Sequence, residues 1–243
     1  MGMTIAAILA GGLGSRMGCG DMPKQYLQVG ARPVIVHTAE KFLTHPQVDH
    51  VLVLAPRPWI AFTQNSLAEH LPAASTLTVT EGGETRNDTI SNALTWIAEQ
   101  FGIKEDHIIL THDAVRPFVT HRIISDNIAA AREHGACDTA IPATDTIVRS
   151  EDGLFISEIP PRSALFQGQT PQSFRCNKLR ALIDSLTPEE ETRLTDACCV
   201  FALRREPVFL VPGEVHNIKI TYPFDLKIAQ AMLEIKEEEH FDT

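Results

Sequence analysis

The chain has 243 residues and a formal net charge of −10, from 31 acidic and 21 basic side chains. That balance argues against a general binder of nucleic acid or anionic membrane, so a polyanionic substrate must be held by a local cluster of bases. No apolar run reaches the ~18–20 residues that cross a bilayer, and no basic stretch precedes an apolar core at the N-terminus, so the expected setting is cytoplasmic. The five cysteines, Cys19, Cys137, Cys176, Cys198 and Cys199, have neither zinc nor redox spacing and are expected as reduced thiols.

Thr4–Leu9 is short and apolar and stops at glycines, which reads as a buried strand. Gly11, Gly12 and Gly14 follow, then Arg16 and, further on, Lys24. A strand running into a glycine-rich turn exposes backbone N–H groups at the sheet edge, where they bind anions. A dinucleotide fingerprint needs a third glycine where Met17 stands, and no Gly-Lys pair forms a P-loop. Arg16 and Lys24 instead set two cations beside the glycines, an arrangement suited to a triphosphate. The plain alternative is a structural strand–helix turn with surface bases.

Pro33–Leu43 carries apolar residues on one helical face, with proline at its start. His50–Ala55 is a second buried strand, residues 59–71 are compatible with a helix, and Leu77–Thr80 is a third strand. Asp88–Phe101 has helical spacing and stops at Gly102. His107–His112 is a fourth strand. Thr120 is expected to cap a helix that ends at Gly135. Asp138–Ile141 is another strand. Residues 144–172, with Pro160-Pro161 and few helical signals, read as a β-arm leaving the main sheet. Lys178–Leu186 and Thr195–Leu203 read as helices, the second capped by Thr195. Val208–Val211 and Ile218–Thr221 read as late strands, and Pro223 opens a final helix.

Strands alternating with helices predict one α/β domain over residues 1–243. The expected fold is a Rossmann-like, mostly parallel mixed sheet with helices on both faces and a protruding β-arm. Ligands of such sheets bind at the carboxyl ends of the strands. The glycine run, Gly82-Gly83 and Asp113 each follow a predicted strand directly. In Glu81–Thr89 the glycines let backbone approach a flat ring, and Thr89 caps the helix or meets a ring edge. In His112–Pro117, Asp113 is placed to hold Mg²⁺ and Arg116 to grip an anion; the alternative is an internal ion pair. Lys219 lies in a segment that is otherwise apolar, where an anion or a snorkelling side chain accounts for it.

In order along the chain, the segments Ala10–Met17, Met22–Gln25, Gly82–Thr89, His112–Phe118, Thr144–Val148, Gly168–Phe174, Leu194–Cys198 and Asn217–Lys227 resemble the cytidylyltransferases that activate sugar or polyol phosphates with CTP. Two branches are candidates. Met22, the Gly168–Phe174 run, Leu194–Cys198 and Lys219–Thr221 look like the ribitol-5-phosphate branch, which serves cell-wall and capsule polymers and is the expected one. The alternative is the 2-C-methyl-D-erythritol 4-phosphate branch of isoprenoid synthesis. That branch typically has Leu before Pro-Lys-Gln, a Glu at the position of Ala197, and Asp where this chain has His216.

The resemblance implies that an acceptor phosphate oxygen attacks the α-phosphorus of CTP and pyrophosphate leaves. A phosphate monoester is mostly ionised near neutral pH, with its second pKa near ~6, so no general base is needed. Arg16, Lys24 and Lys219 are the implied catalytic cations. Ala10, Gly11, Gly12, Gly14, Gly83, Arg86, Thr89 and Asp113 are implied for the nucleotide. Asp113, Arg116, Thr146, Arg162 and Thr170 are implied for the acceptor, and Asp113 for Mg²⁺. A homodimer through the β-arm is implied, with Arg162 acting in trans. No nucleic-acid or membrane partner is expected.

Overall fold

The computed structural model describes residues 2–11, 22–191, 194 and 196–241. Gly12, Gly14, Arg16 and Thr195 lie outside the described residues. In chain order the elements are β1 (Thr4–Leu9), β2 (Gln28–Val29), β3 (Arg32–Pro33), α1 (Val34–Leu43), β4 (His50–Ala55), α2 (Ile60–His70), β5 (Leu77–Glu81), α3 (Arg86–Phe101), β6 (Ile108–Asp113) and α4 (His121–His134). There follow β7 (Ala136–Pro142), β8 (Phe166–Arg175), α5 (Cys176–Asp184), α6 (Pro188–Glu191), α7 (Ala197–Leu203), β9 (Phe209–Pro212) and α8 (Pro223–Phe241).

Seven strands form one sheet in the order β5-β4-β1-β6-β8-β7-β9, and β2 pairs with β3 in a separate ribbon. β5, β4, β1 and β6 are mutually parallel, β8 is antiparallel to both of its neighbours, and β9 runs parallel to β7. Every residue of β1 and β4 is buried, as expected for parallel strands covered on both faces. One face packs Ile35, Phe42, Leu67, Ile123 and Ile128 from α1, α2 and α4. The other packs Ile90, Leu94, Ile97, Leu179 and Phe201 from α3, α5 and α7. α8 closes the molecule against β2 and Phe118 through Ala229.

Helix starts follow their side chains. Thr120 caps α4, accepting from the Ile123 N–H, and the helix ends at Gly135. α3 opens with a reciprocal cap in which Thr85 accepts from the Asp88 N–H at 3.1 Å and Asp88 accepts from the Thr85 N–H at 2.9 Å. Thr85 therefore does the capping, and Thr89 lies within the helix. Asp196 caps α7, accepting from the Cys199 N–H at 3.0 Å. The four described cysteines form no disulfide.

Two expectations need correction. The β-arm does not extend to residue 172. Phe166–Arg175 is a ten-residue strand of the main sheet, hydrogen-bonded between β6 and β7. Its glutamines, glycine and proline disfavour a strand by composition, but tertiary pairing overrides that preference. Phe174 anchors it, fully buried and stacked on Phe201 with ring centroids 5.1 Å apart. The projecting arm is the preceding stretch, whose ladder is a single bridge between Arg149 and Glu158. The second correction concerns residues 218–221, which join no ladder. They follow an irregular path tied down by the Ile220 N–H donating to the Val115 carbonyl at 2.9 Å.

Candidate active site

Because β1, β4, β5 and β6 are parallel, their carboxyl ends share one edge. Leu9 pairs with Asp113, so Ala10 and Gly11 emerge directly beside that carboxylate. Gly82 and Gly83 leave β5 on the same edge. A Cβ at Gly83 would come within 2.2 Å of the Asp88 Cβ, so only glycine lets this turn lie on the start of α3. The Gly83 N–H donates to Thr89 Oγ1 at 3.0 Å, and the Thr89 hydroxyl donates to the Thr85 carbonyl at 2.8 Å. A Cβ on Gly11 would meet Thr89 Oγ1 at 3.2 Å and the Gly83 carbonyl at 3.5 Å. Gly11, Gly83 and Thr89 thus surround one narrow slot.

Asp113 is 6% exposed and draws one cation from its own loop and two from distant stretches of chain. Arg86 ion-pairs with Oδ1, Lys219 Nζ lies 2.9 Å from Oδ2, and Arg116 Nε lies 3.4 Å from Oδ2. Burial works to raise the carboxyl pKa, but the charges of Arg86, Lys219 and Arg116 outweigh it and hold the group far below the usual carboxylate range. Three cations around one anion leave an excess of positive charge at the strand ends. Charge of that sign is complementary to an anionic ligand.

A buried scaffold fixes this cluster. His112, fully buried, bonds through Nε2 to the Arg116 carbonyl at 3.1 Å, so Nε2 carries the proton. Its Nδ1 then accepts from the Thr170 hydroxyl at 2.9 Å, and that hydroxyl oxygen accepts from the Asp113 N–H at 3.2 Å. Burial pushes the His112 pKa down to about 3, which keeps the imidazole neutral in this role. Asn217, also fully buried, accepts at its carbonyl from Arg116 Nη1 at 2.8 Å. Its Nδ2 donates to the Thr170 carbonyl at 2.9 Å and to Gln169 Oε1 at 3.2 Å. Thr170, expected on the arm, therefore sits in β8 beneath Asp113.

Lys24 is half-buried on a single turn of 3-10 helix, Lys24–Tyr26. Tyr26 pins that turn, stacking on Trp59 at 4.9 Å and hydrogen-bonding Thr63 at 2.7 Å. Gln25 reaches back to donate to the Ala10 carbonyl at 2.6 Å. Thr146 and Arg162 behave differently. Both are exposed on the arm, and Arg162 Nη1 donates to the Thr144 carbonyl at 3.0 Å. No described hydrogen bond or ion pair joins either residue to the Asp113 cluster of the same chain.

Sequence reasoning missed His112, Asn217, Gln169 and Gln25 as members of the site. None carries a spacing signal: the crossing of β6, β8 and the 213–221 segment reveals His112, Asn217 and Gln169, and the bond to the end of β1 reveals Gln25. It also missed Asp138 on β7, paired in register with Gln172. Burial pushes Asp138 up to about 7; the Gln172 hydrogen bond opposes this and nearby Asp196 adds to it. Among the described residues, no group of three or more His, Cys, Asp or Glu side chains forms a cage for a metal ion.

A model of the 2-C-methyl-D-erythritol 4-phosphate cytidylyltransferase family (IspD) matches residues 4–235. The chain belongs to this family. Its fold is that of a solved 4-diphosphocytidyl-2C-methyl-D-erythritol synthase from Anaerococcus prevotii, at 27% identity and a TM-score of 0.81, covering 96% of both chains. A second synthase of that description matches at 28% identity and a TM-score of 0.78, covering 96% of this chain and 100% of the other. The 2-C-methyl-D-erythritol 4-phosphate cytidylyltransferase of Francisella tularensis matches at 26% identity and a TM-score of 0.76, covering 94% of this chain and 98% of the other. This cytidylyltransferase is thus a nucleotidyltransferase that uses CTP, with the expected mixed α/β sheet. Among the described residues no helix is long and apolar enough to cross a membrane.

Proposed function

We propose that the enzyme transfers the cytidylyl group of CTP to 2-C-methyl-D-erythritol 4-phosphate, forming the CDP-linked product and pyrophosphate. What supports this acceptor, over the ribitol 5-phosphate that the short motifs favour, is the family match over residues 4–235 with structural neighbours of that one description.

An oxygen of the acceptor phosphate attacks the α-phosphorus. One P–O bond forms, the bond to the β-phosphate breaks, and the electron pair leaves with pyrophosphate. The nucleophile is already ionised, so the protein's task is to align two polyanions and offset their charge. Gly12, Gly14 and Arg16 cradle the β,γ-phosphates. Ala10, Gly11, Gly83 and Thr89 meet the nucleoside. Lys219 and Lys24 flank the α-phosphate, and Lys219 exchanges Asp113 for the phosphate as charge builds. Arg116 and Thr170, held by His112 and Asn217, take the acceptor phosphate.

Asp113, the carboxylate at the strand ends, would be the residue to hold a divalent ion, which takes oxygen ligands. When bound, Mg²⁺ would neutralise triphosphate charge there. Thr146 and Arg162 reach an acceptor by crossing to a second subunit. The arm carries Leu154 at 81% and Phe155 at 76% exposure, apolar surface of the kind a homodimer buries.

A test is pyrophosphate release with CTP, Mg²⁺ and each acceptor in turn. Release with methylerythritol 4-phosphate is the expected outcome; release with ribitol 5-phosphate alone refutes the proposal. The ribitol reading keeps one observation in its favour. His216, where the erythritol branch has Asp, lies 2.5 Å from Glu214 and brings no carboxylate to the Asp113 cluster.

A further inference from the structure

We infer that Gln25 is a positioning residue for CTP, supplying a missing rung of the sheet at the point where β1 becomes the glycine loop. Successive residues of a strand point their N–H and C=O groups to alternate sides. The Leu9 carbonyl accepts from the Ala114 N–H at 3.1 Å on the β6 side, and the Ala10 N–H donates to the Leu54 carbonyl at 2.9 Å on the β4 side. The Ala10 carbonyl therefore also faces β4. Continuing the parallel register, in which Leu9 pairs with Leu54, its donor would be the N–H of residue 56. That residue is Pro56, which has none.

The Gln25 side chain fills the gap. It is 2% exposed, and its Nε2 donates to the Ala10 carbonyl at 2.6 Å. The C=O and N–H of one trans peptide point in opposite directions. Holding the Ala10 carbonyl on the β4 side thus turns the Gly11 N–H toward β6 and Asp113, where the first donor of the loop meets the nucleotide. The same bond ties Lys24, one residue earlier, to the end of β1. Without the amide the Ala10 carbonyl is buried without a partner. The peptide can then turn over and present a partial negative charge to the triphosphate.

The inference rests on CTP being the nucleotide and is independent of the acceptor. The test is CTP binding by titration calorimetry with no acceptor present, alongside steady-state kinetics and thermal melting. Gln25→Met is expected to weaken CTP binding roughly 10–30-fold and raise the KM for CTP in step, with kcat and the acceptor KM within about 3-fold. The deciding variant is Gln25→Met combined with Pro56→Ala. Pro56 has extended backbone (φ −60, ψ 140), which alanine adopts freely, so the substitution restores an N–H facing the Ala10 carbonyl. Recovery of CTP affinity to within about 3-fold of the parent is expected, because a backbone donor replaces the side-chain one. A folded Gln25→Met that binds CTP like the parent overturns the inference. So does a double variant that binds CTP no better than Gln25→Met. A wrong acceptor assignment would leave both results untouched.

Discussion

Asp113→Asn removes the anion that three cations share while keeping the side chain's shape. Side-chain exposure is 8% for Asp113, 23% for Arg86, 11% for Arg116 and 39% for Lys219. Breaking a fully buried pair costs about 3–5 kcal/mol. Lys219 and Arg86 reach water, which lowers the expected cost to about 2–3 kcal/mol. At roughly 2–4 °C per kcal/mol for a chain of this size, the unliganded variant should melt about 5–10 °C lower at pH 7. Millimolar pyrophosphate should raise its melting temperature more than that of the parent, because the anion relieves cations that the parent already pairs. The pH dependence has a fixed sign. The Asp113 pKa is depressed in the folded state, so its contribution is present above the unfolded value of about 4 and is lost as pH falls below it. The gap between parent and variant should therefore close in acid. A variant melting within 1 °C of the parent at pH 7, or an equal pyrophosphate shift in both, would refute this account of the cluster.

Lys219→Ala should lower kcat by about 10²–10³ with a much smaller change in CTP affinity, since its charge is needed as the α-phosphate reacts; unchanged turnover in single-turnover assays would remove it from that role. Asp138→Asn should melt higher than the parent at pH 8 and equally at pH 4. A buried acid pushed up to about 7 costs stability only as pH rises from its unfolded value toward 7, and an offset independent of pH would contradict this. Phe174→Ala should cost about 3–5 kcal/mol in urea unfolding with an unchanged slope, because its ring is fully buried against Phe201. Phe155→Asp should shift the protein toward monomer in light scattering and lower activity with the acceptor; a monomeric parent would sink the dimer proposal.

Much of the fold could be read along the chain, for a physical reason. β1 and β4 are short apolar runs because both their faces are buried, and Thr120 and Gly135 mark the ends of α4 through local geometry alone. β8 could not be read that way. Its string of Gln, Thr and Pro pairs as a strand only because β6 and β7 leave rungs open on both sides. Residues 218–221 show the converse: apolar residues with β-branches suggest a strand, but the segment is bonded to Val115 in the loop after β6 and not to either edge strand, β5 or β9.

The candidate site divides in the same way. Composition and spacing along the chain pointed to glycines and Asp113 directly after strands, with Arg116 close by, and so to a phosphate-compatible edge; Lys219 stood out only as a cation in an apolar segment. Only the tertiary structure decided that Arg86, Arg116 and Lys219 converge on one carboxylate, with a neutral His112 and Asn217 holding them from behind. It also decided that Gln25 stands in for the donor that Pro56 lacks. Sequence patterns record what each residue needs from its neighbours along the chain. Which distant group satisfies a buried carbonyl or carboxylate depends on how the strands cross, and that is a property of the fold.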